Sequence, residues 1–293
     1  MIIERAIELA RQMQEKRQAE SRKADGQDSA AASHAHGTAP PRVDRRSAQQ
    51  LSEVRPDFTR IDIDPVECER NRIVLTVDVK NQLGRAEPAY RLLRSRAQHA
   101  IGTGNWTCVG ITSPGPGEGK TVTTLNVALS IAREKQRDVF VLDLDMRNPS
   151  ALKYLGARPA VEISEYFKGT AGPEQVLLAT GVDNLLIAGN REPVEGASEL
   201  LATHKLPDLL AYIRRVSPGS LVLIDLAPFT STDQALQVAR RVDAMFLVVS
   251  EGLTRRDSLT RTLNLLSDFR VAGLILNRST ETRGRDYYYY YRS

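Results

Sequence analysis

The sequence predicts an α/β fold, a three-layer sandwich with a mostly parallel central sheet, and three observations carry that expectation. Short, almost wholly apolar runs recur from residue 108 onward: Cys108-Val-Gly-Ile-Thr, Val139-Phe-Val-Leu-Asp, Leu185-Leu-Ile, Leu221-Val-Leu-Ile-Asp, Ala244-Met-Phe-Leu-Val-Val and Val271-Ala-Gly-Leu-Ile-Leu-Asn. Helical patterns separate them, notably over 121–133, 205–216, 232–240 and 255–269. Alternation of this kind argues parallel strands covered by helices on both faces. The third observation is a glycine-rich segment, residues 113–121, joining the first of these runs to the first of these helices.

Taken in order, the chain starts with Ile2, Ile3, Ala6, Ile7, Leu9, Ala10 and Met13 at helical spacing, with charged residues opposite. They predict a short amphipathic helix over 1–13, which docks either on this chain or on a partner. Residues 14–57 turn to Ala, Ser, Arg, Gln and Pro and predict a flexible linker, too polar and small-residued to pack. His34 and His36 within it are too few for a metal site. Ile73-Val-Leu-Thr-Val then reads as a short strand, and 89–100 as a helix studded with Arg91, Arg94 and Arg96. The main domain is expected over 58–280 and a tail over 281–293.

With 293 residues, 41% of them hydrophobic, the chain can bury a proper core, and a formal charge of +4 with acids and bases interleaved does not call for nucleic acid. Cys68 and Cys108 match neither a disulfide framework nor a CxxC metal pattern, which fits a reducing cytoplasm. Glu4, Arg5, Glu8 and Arg11 break up the first residues, leaving no apolar signal core, and no stretch reaches the ~18 apolar residues of a membrane span. Work at a membrane would therefore need a partner that recruits the protein to its inner face.

The segment Ser113-Pro-Gly-Pro-Gly-Glu-Gly-Lys-Thr121 sits where a phosphate-binding loop must sit, after a strand and before a helix. Glycines let successive backbone N–H groups turn toward phosphate oxygens, and the helix adds its positive N-terminus. Gly115, Gly117, Glu118, Gly119, Lys120, Thr121 and Val122 are the expected nucleotide contacts, Lys120 reaching the β and γ phosphates and Thr121 ligating Mg²⁺. Pro114 stands where the strict GxxxxGK[ST] pattern has its first glycine. With this loop the sandwich becomes P-loop NTPase-like.

Two acidic sites fall at strand ends, where an open α/β sheet places its ligands. Asp225 closes the run Leu221-Val-Leu-Ile as a Walker B aspartate would, holding Mg²⁺ through water. Asp143 and Asp145 lie two apart at the end of Val139-Phe-Val-Leu, with Arg147 just beyond, and strand alternation places both carboxylates on one side. Carboxylates so placed can hold a metal or take the proton of an attacking hydroxyl. Finally, Tyr287, Tyr288, Tyr289, Tyr290 and Tyr291 run together just before the end, a cluster with no use in a packed core and the form of a substrate.

These motifs together resemble the bacterial tyrosine kinases of exopolysaccharide and capsule systems, a P-loop group unrelated to eukaryotic protein kinases. The resemblance spans residues 84–293 and rests on 113–121, on Leu142-Asp-Leu-Asp-Met-Arg147, on 221–228 and on the tyrosine cluster. It implies an ATP- and Mg²⁺-dependent autokinase that phosphorylates the terminal tyrosines of a neighbouring subunit. Lys120 and Thr121 would bind phosphates and metal, Asp145 and Asp225 would support the metal, and Asp143 would be the candidate base. It also implies a homo-oligomeric ring and a separate transmembrane activator of the polysaccharide chain-length regulator type. A family helix of the form Glu-x-x-Arg-x-x-Arg, used for subunit contact, is matched by Arg91 and Arg94, but Glu87 lies one residue early, with Pro88 in its place. The N-terminal helix and linker resemble kinases of PEP-CTERM and exosortase loci.

Two other readings compete. ParA- and MinD-like partitioning ATPases share the sheet and loop but carry a second lysine five residues before the P-loop lysine, where Gly115 stands here, and lack tyrosine tails. A nucleotide-dependent switch without kinase chemistry is opposed by the presence of Lys120, Asp143, Asp145 and Asp225.

Overall fold

The computed structural model describes residues 56–75, 87–230 and 233–279. The expected helix over 1–13, nearly all of the expected linker and the tyrosine cluster lie outside the described residues. Seven strands form one sheet: β1 (Cys108–Thr112), β2 (Val139–Asp143), β3 (Leu178–Ala179), β4 (Leu185–Ala188), β5 (Leu221–Asp225), β6 (Ala244–Ser250) and β7 (Val271–Asn277). Their order is β3-β4-β2-β5-β1-β6-β7. Every pairing is parallel except that of the two-residue β3 with β4.

Helices cover both faces: α1 (Pro65–Arg70), α2 (Glu87–Gly104), α3 (Lys120–Ala132), α4 (Ala151–Tyr154), α5 (Ile163–Lys168), α6 (Pro173–Val176), α7 (Ala197–Ala202), α8 (Lys205–Val216), α9 (Gln234–Ala239) and α10 (Arg256–Leu265). Strand alternation divides the core between the faces. Val139 and Val141 join Ile111, Leu223 and Val248 beneath α2 and α3, whereas Phe140 and Leu142 join Ile224, Leu247 and Leu209 on the other side. A strand buried on both faces has no polar side to show, which is why the sequence displays unbroken apolar runs. α3 is buried along almost its whole length. α8 buries only Leu206, Leu209, Leu210 and Ile213, one helical stripe.

Two local expectations give way to tertiary contacts. The run from Ile73 is not a strand within the described residues 73–75; Ile73 and Val74 are buried, but the Ile73 N–H bonds the Cys68 carbonyl of α1 and the next two residues are held from α3 and its C-terminal end. Asn126 Oδ1 accepts from the Val74 N–H at 2.8 Å, and the Arg133 guanidinium donates to the carbonyls of Val74 and Leu75. The last expected helix stops at Leu265, four residues early, in a turn closed by the Phe269 N–H on the Leu266 carbonyl. Among the described residues no helix is long and apolar enough to cross a membrane.

Register sets up the site. Ile111 of β1 and Asp143 of β2 are both paired with Asp225 of β5, so two aspartates stand side by side at the carboxyl ends of adjacent parallel strands.

Candidate active site

The loop between β1 and α3 winds through two left-handed glycines, Gly117 (φ 73°) and Gly119 (φ 90°), a conformation that costs other residues strain. A Cβ on Gly119 would run into the Asn277 side chain, so the loop has no room for one. Asn277 Nδ2 donates to the Glu118 carbonyl at 2.9 Å, and the Arg278 guanidinium donates to the Gly117 carbonyl at 2.8 Å. With these carbonyls tied down, the opposite side of the loop is left to present its N–H groups. Ser113 Oγ donates to the Gly115 carbonyl at 2.7 Å, closing the other end.

Lys120 opens α3 and points into a knot of carboxylates. Its Nζ lies 2.7 Å from Asp145 Oδ2 and 3.6 Å from Asp225 Oδ1. Burial works against the charged ammonium, but Asp225, Asp145 and Asp143 together hold it above the ordinary lysine range. Thr121 Oγ1 donates to Asp225 Oδ2 at 2.5 Å and is met at 3.0 Å by Ser150 Oγ. Burial pushes Asp225 up to about 7, against the pull of Lys120. Asp143 is likewise raised, first by burial, with Lys120 and the N–H groups of Ala151 and Ser150 opposing.

A cleft of about 510 Å³ opens over this knot, lined by Gly117, Gly119, Lys120, Thr121, Val122 and Asp145, with Asn148, Ser150, Lys153 and Arg278 among the remaining walls. Five of the seven expected nucleotide contacts therefore share one cleft. The two others face elsewhere. Gly115 is part of the loop but not of the wall, and the Glu118 side chain is buried away from it, its carboxyl raised by burial and bonded to Thr254.

The donor set fits a hard divalent cation. Asp225 Oδ1 is buried with no hydrogen-bond partner, its only described counter-charge being the Lys120 ammonium 3.6 Å away, and so has room to accept a cation directly. Among the described residues no three His, Cys, Asp or Glu side chains make a complete metal cage. Mg²⁺ keeps several waters and takes one or two carboxylates plus phosphate oxygens, a set to which Asp225, Asp145 and the Thr121 hydroxyl could contribute.

The paired-carboxylate reading of Asp143 and Asp145 needs a different geometric basis from strand alternation. β2 ends at Asp143, and Asp145 reaches Lys120 from the following turn, whose Asn148 N–H bonds both the carbonyl and Oδ1 of Asp145. Arg147 is exposed. The expected subunit-contact residues also divide. Arg94 turns inward, its Nε 3.0 Å from Glu134 Oε1 and its Nη1 3.1 Å from the Ser130 carbonyl, so its charge braces α2 against α3 instead of projecting to a partner. Arg91 lies one turn earlier on the exposed side, and Glu87 is the first residue of α2, with Pro88 in the first turn where its missing N–H costs nothing.

Sequence reasoning overlooked Ser150, Asn277 and Arg278. The last two carried a usable signal, since they end β7 on the same carboxyl edge as the P-loop. Ser150 carried none beyond its nearness to Asp145.

Comparison with known proteins agrees with this architecture. Residues 109–289 match the family described as CobQ/CobB/MinD/ParA nucleotide binding domain. The tyrosine-protein kinase CpsD of Streptococcus pneumoniae is 26% identical over 173 residues, covering 58% of this chain and 75% of that protein. The tyrosine-protein kinase YwqD of Bacillus subtilis is 25% identical over 203 residues, 69% of this chain and 84% of its own length. Among solved structures, the kinase domain of VpsO superposes with a TM-score of 0.59 at 26% identity, over 67% of this chain and 97% of that one. Since the matched domain takes up more than half of the sequence, the chain belongs to the CobQ/CobB/MinD/ParA nucleotide-binding domain family, and its curated relatives there are bacterial tyrosine kinases.

Proposed function

We propose that this protein is an ATP-dependent tyrosine autokinase that phosphorylates the cluster Tyr287 to Tyr291 on a neighbouring copy and thereby regulates polysaccharide synthesis or export. The observation that carries the reading is the knot in which Lys120, Thr121 and Asp145 line a cleft of about 510 Å³ with Asp225 buried behind them. The kinase names of its relatives and the run of five tyrosines supply the acceptor.

When bound, Mg·ATP supplies the phosphoryl group and the cation that neutralises its oxygens. The residues of the chain do the rest by position and charge. N–H groups of the Gly117–Gly119 turn and the start of α3 hold the phosphates, and Lys120 leaves its carboxylate partners to face the transferring group. Thr121 and Asp225 hold the cation side, with Asp145 beside them. The phenol oxygen forms a bond to the γ phosphorus as the bond to the bridging oxygen breaks. The phenolic proton passes to a carboxylate of the Asp143–Asp145 pair, and ADP leaves.

Feeding of the tail to a neighbour is favoured by its form, because five consecutive residues cannot all be presented easily to their own cleft. The exposure of Arg91 on α2 supports that helix as the subunit contact. A membrane protein of the chain-length regulator type fits as activator and would bring the chain to the inner membrane face. The domain boundaries follow the same reading: 58–280 as the catalytic domain, with 1–13, 14–57 and 281–293 as helix, linker and acceptor tail.

The test is to incubate the full chain and an activator fragment with Mg·ATP and probe for phosphotyrosine. Labelling of wild type and none in Lys120→Met is expected; ATP hydrolysis with no phosphotyrosine in wild type would sink the kinase reading.

A further inference from the structure

Asp143 is the most completely bonded carboxylate of the site. Its Oδ1 accepts from the Asp145 N–H at 3.1 Å, and its Oδ2 accepts from the N–H groups of Ser150 and Ala151 at 2.9 Å each. It has no solvent exposure, and a Cβ on Gly189 would lie 3.2 Å from its own Cβ, so backbone closes over it from the side. Its three donors come from the two ends of one loop, the turn that leaves β2 and enters α4.

That loop delivers two groups to the cleft. Asp145 reaches Lys120 at 2.7 Å, and Ser150 Oγ reaches Thr121 Oγ1 at 3.0 Å. The Thr121 hydroxyl gives its proton to Asp225, so Ser150 must be the donor in the second contact. Lys120 Nζ meets the other lone pair of Thr121 from 3.5 Å, and Ser150 helps to fix the hydroxyl rotor beside the cleft.

We propose that Asp143 is a positioning residue, which acts on the reaction only through this loop by holding Asp145 opposite Lys120 and Ser150 against Thr121. A base must come within hydrogen-bond reach of the proton it takes. Asp143 has no exposed surface, does not line the cleft and already accepts three backbone N–H groups, whereas Asp145 lines the cleft. The inference rests on the nucleotide site described above and deepens it.

The experiment compares full-length wild type with Asp143→Asn, which keeps one acceptor oxygen, and with Ser150→Ala, which keeps its N–H and loses its hydroxyl. Without nucleotide, hydrogen exchange of amides 145–151 should accelerate about tenfold or more in Asp143→Asn and stay unchanged in Ser150→Ala. Calorimetry of ADP binding at a series of Mg²⁺ concentrations should show the apparent Mg²⁺ affinity lowered about 10–100-fold in Asp143→Asn, the usual effect of losing a group that orients a ligand, and less in Ser150→Ala. If Asp143→Asn keeps wild-type exchange and Mg²⁺ dependence yet loses all phosphotyrosine, its carboxylate acts on the reacting atoms and the proposal falls. If Asp143→Asn does not fold, Ser150→Ala with wild-type Mg²⁺ dependence has the same force. The exchange readout needs no nucleotide, so a wild type that makes no phosphotyrosine refutes the kinase reading while leaving this one to stand or fall on its own.

Discussion

Replacing Lys120 by methionine should do more than remove a catalytic charge. Its ammonium is buried and sits 2.7 Å from Asp145 and 3.6 Å from Asp225, with Asp143 also within electrostatic reach. Lys120→Met would leave these carboxylates without a cation, and removing one partner of a buried pair costs about 3–5 kcal/mol. For a domain of about 150–250 residues, that corresponds to a fall in Tm of roughly 6–20 °C. The deficit has a definite pH dependence. Burial already raises Asp225 and Asp143 above their unfolded values, and loss of Lys120 raises them further. A carboxylate whose folded pKa lies above its unfolded one stabilises the fold fully below the ordinary carboxylate range and loses that contribution as pH rises through the folded value. The variant should therefore be least impaired near pH 5 and most impaired near pH 8. Urea unfolding in EDTA at both pH values, wild type against variant, measures it. A variant within about 1 kcal/mol of wild type at pH 8, or one whose deficit shrinks as pH rises, would refute the claim that Lys120 neutralises the site.

Four further outcomes are expected. Replacing all five tyrosines with phenylalanine should abolish phosphotyrosine and leave ADP affinity within about twofold; persistent label would move the acceptor to a tyrosine such as Tyr154, which lines the cleft. Gly119→Ala forces a side chain into a left-handed turn and onto Asn277, and should cost at least about 1–2 kcal/mol in urea unfolding together with weaker ADP binding in calorimetry. Arg94→Ala should lower stability by about 1 kcal/mol without changing the oligomer seen by light scattering, since Arg94 is bonded to Glu134 and Ser130 within its own chain. Cys68 and Cys108 are buried thiols pushed up to about 12 by desolvation, so at pH 8 both should resist a disulfide reagent until urea unfolds the chain.

How far the sequence could be read depended on whether a signal was local. Six of the seven strands announced themselves as apolar runs, five because both of their faces are buried and β7, at the sheet edge and only half-buried, because its composition is apolar all the same. β3 did not, because two residues, Leu178 and Ala179, have no period, and what makes them a strand is Ile187 and Leu186 across from them. Ile73-Val-Leu looked like a strand for the reason that usually holds, β-branched residues in an apolar run. Its backbone partners turned out to be side chains of Asn126 and Arg133, more than fifty residues away, which no local pattern encodes. The P-loop was legible as a contiguous phrase, and Asp225 as the polar residue that closes an apolar run. Asp145 was found by strand alternation although it lies past the end of the strand. Register neighbours cannot be seen in sequence either: that Asp143 and Asp225 face each other follows from β2 pairing with β5 across an intervening stretch of chain.

That pairing also explains why the unliganded site is so strongly biased toward a cation. One buried lysine faces three aspartates, so full ionisation leaves two uncompensated negative charges, the charge of one Mg²⁺. Unliganded, the chain relieves the excess by letting Asp225 hold its proton up to about pH 7 and by raising Asp143, whereas Thr121 ties down one Asp225 oxygen and leaves the other without a hydrogen-bond partner. On the proposed function, a divalent cation held by Asp225 and Asp145 would remove the need for both adjustments, and Lys120 would leave the carboxylates for phosphate only once that cation took its place. Binding of metal and nucleotide is thus mutually supporting through one side chain. Phosphates arriving without the metal would have to strip Lys120 from Asp145 and Asp225 and leave the carboxylates bare, so the same charge arithmetic would favour the metal–nucleotide pair over either alone.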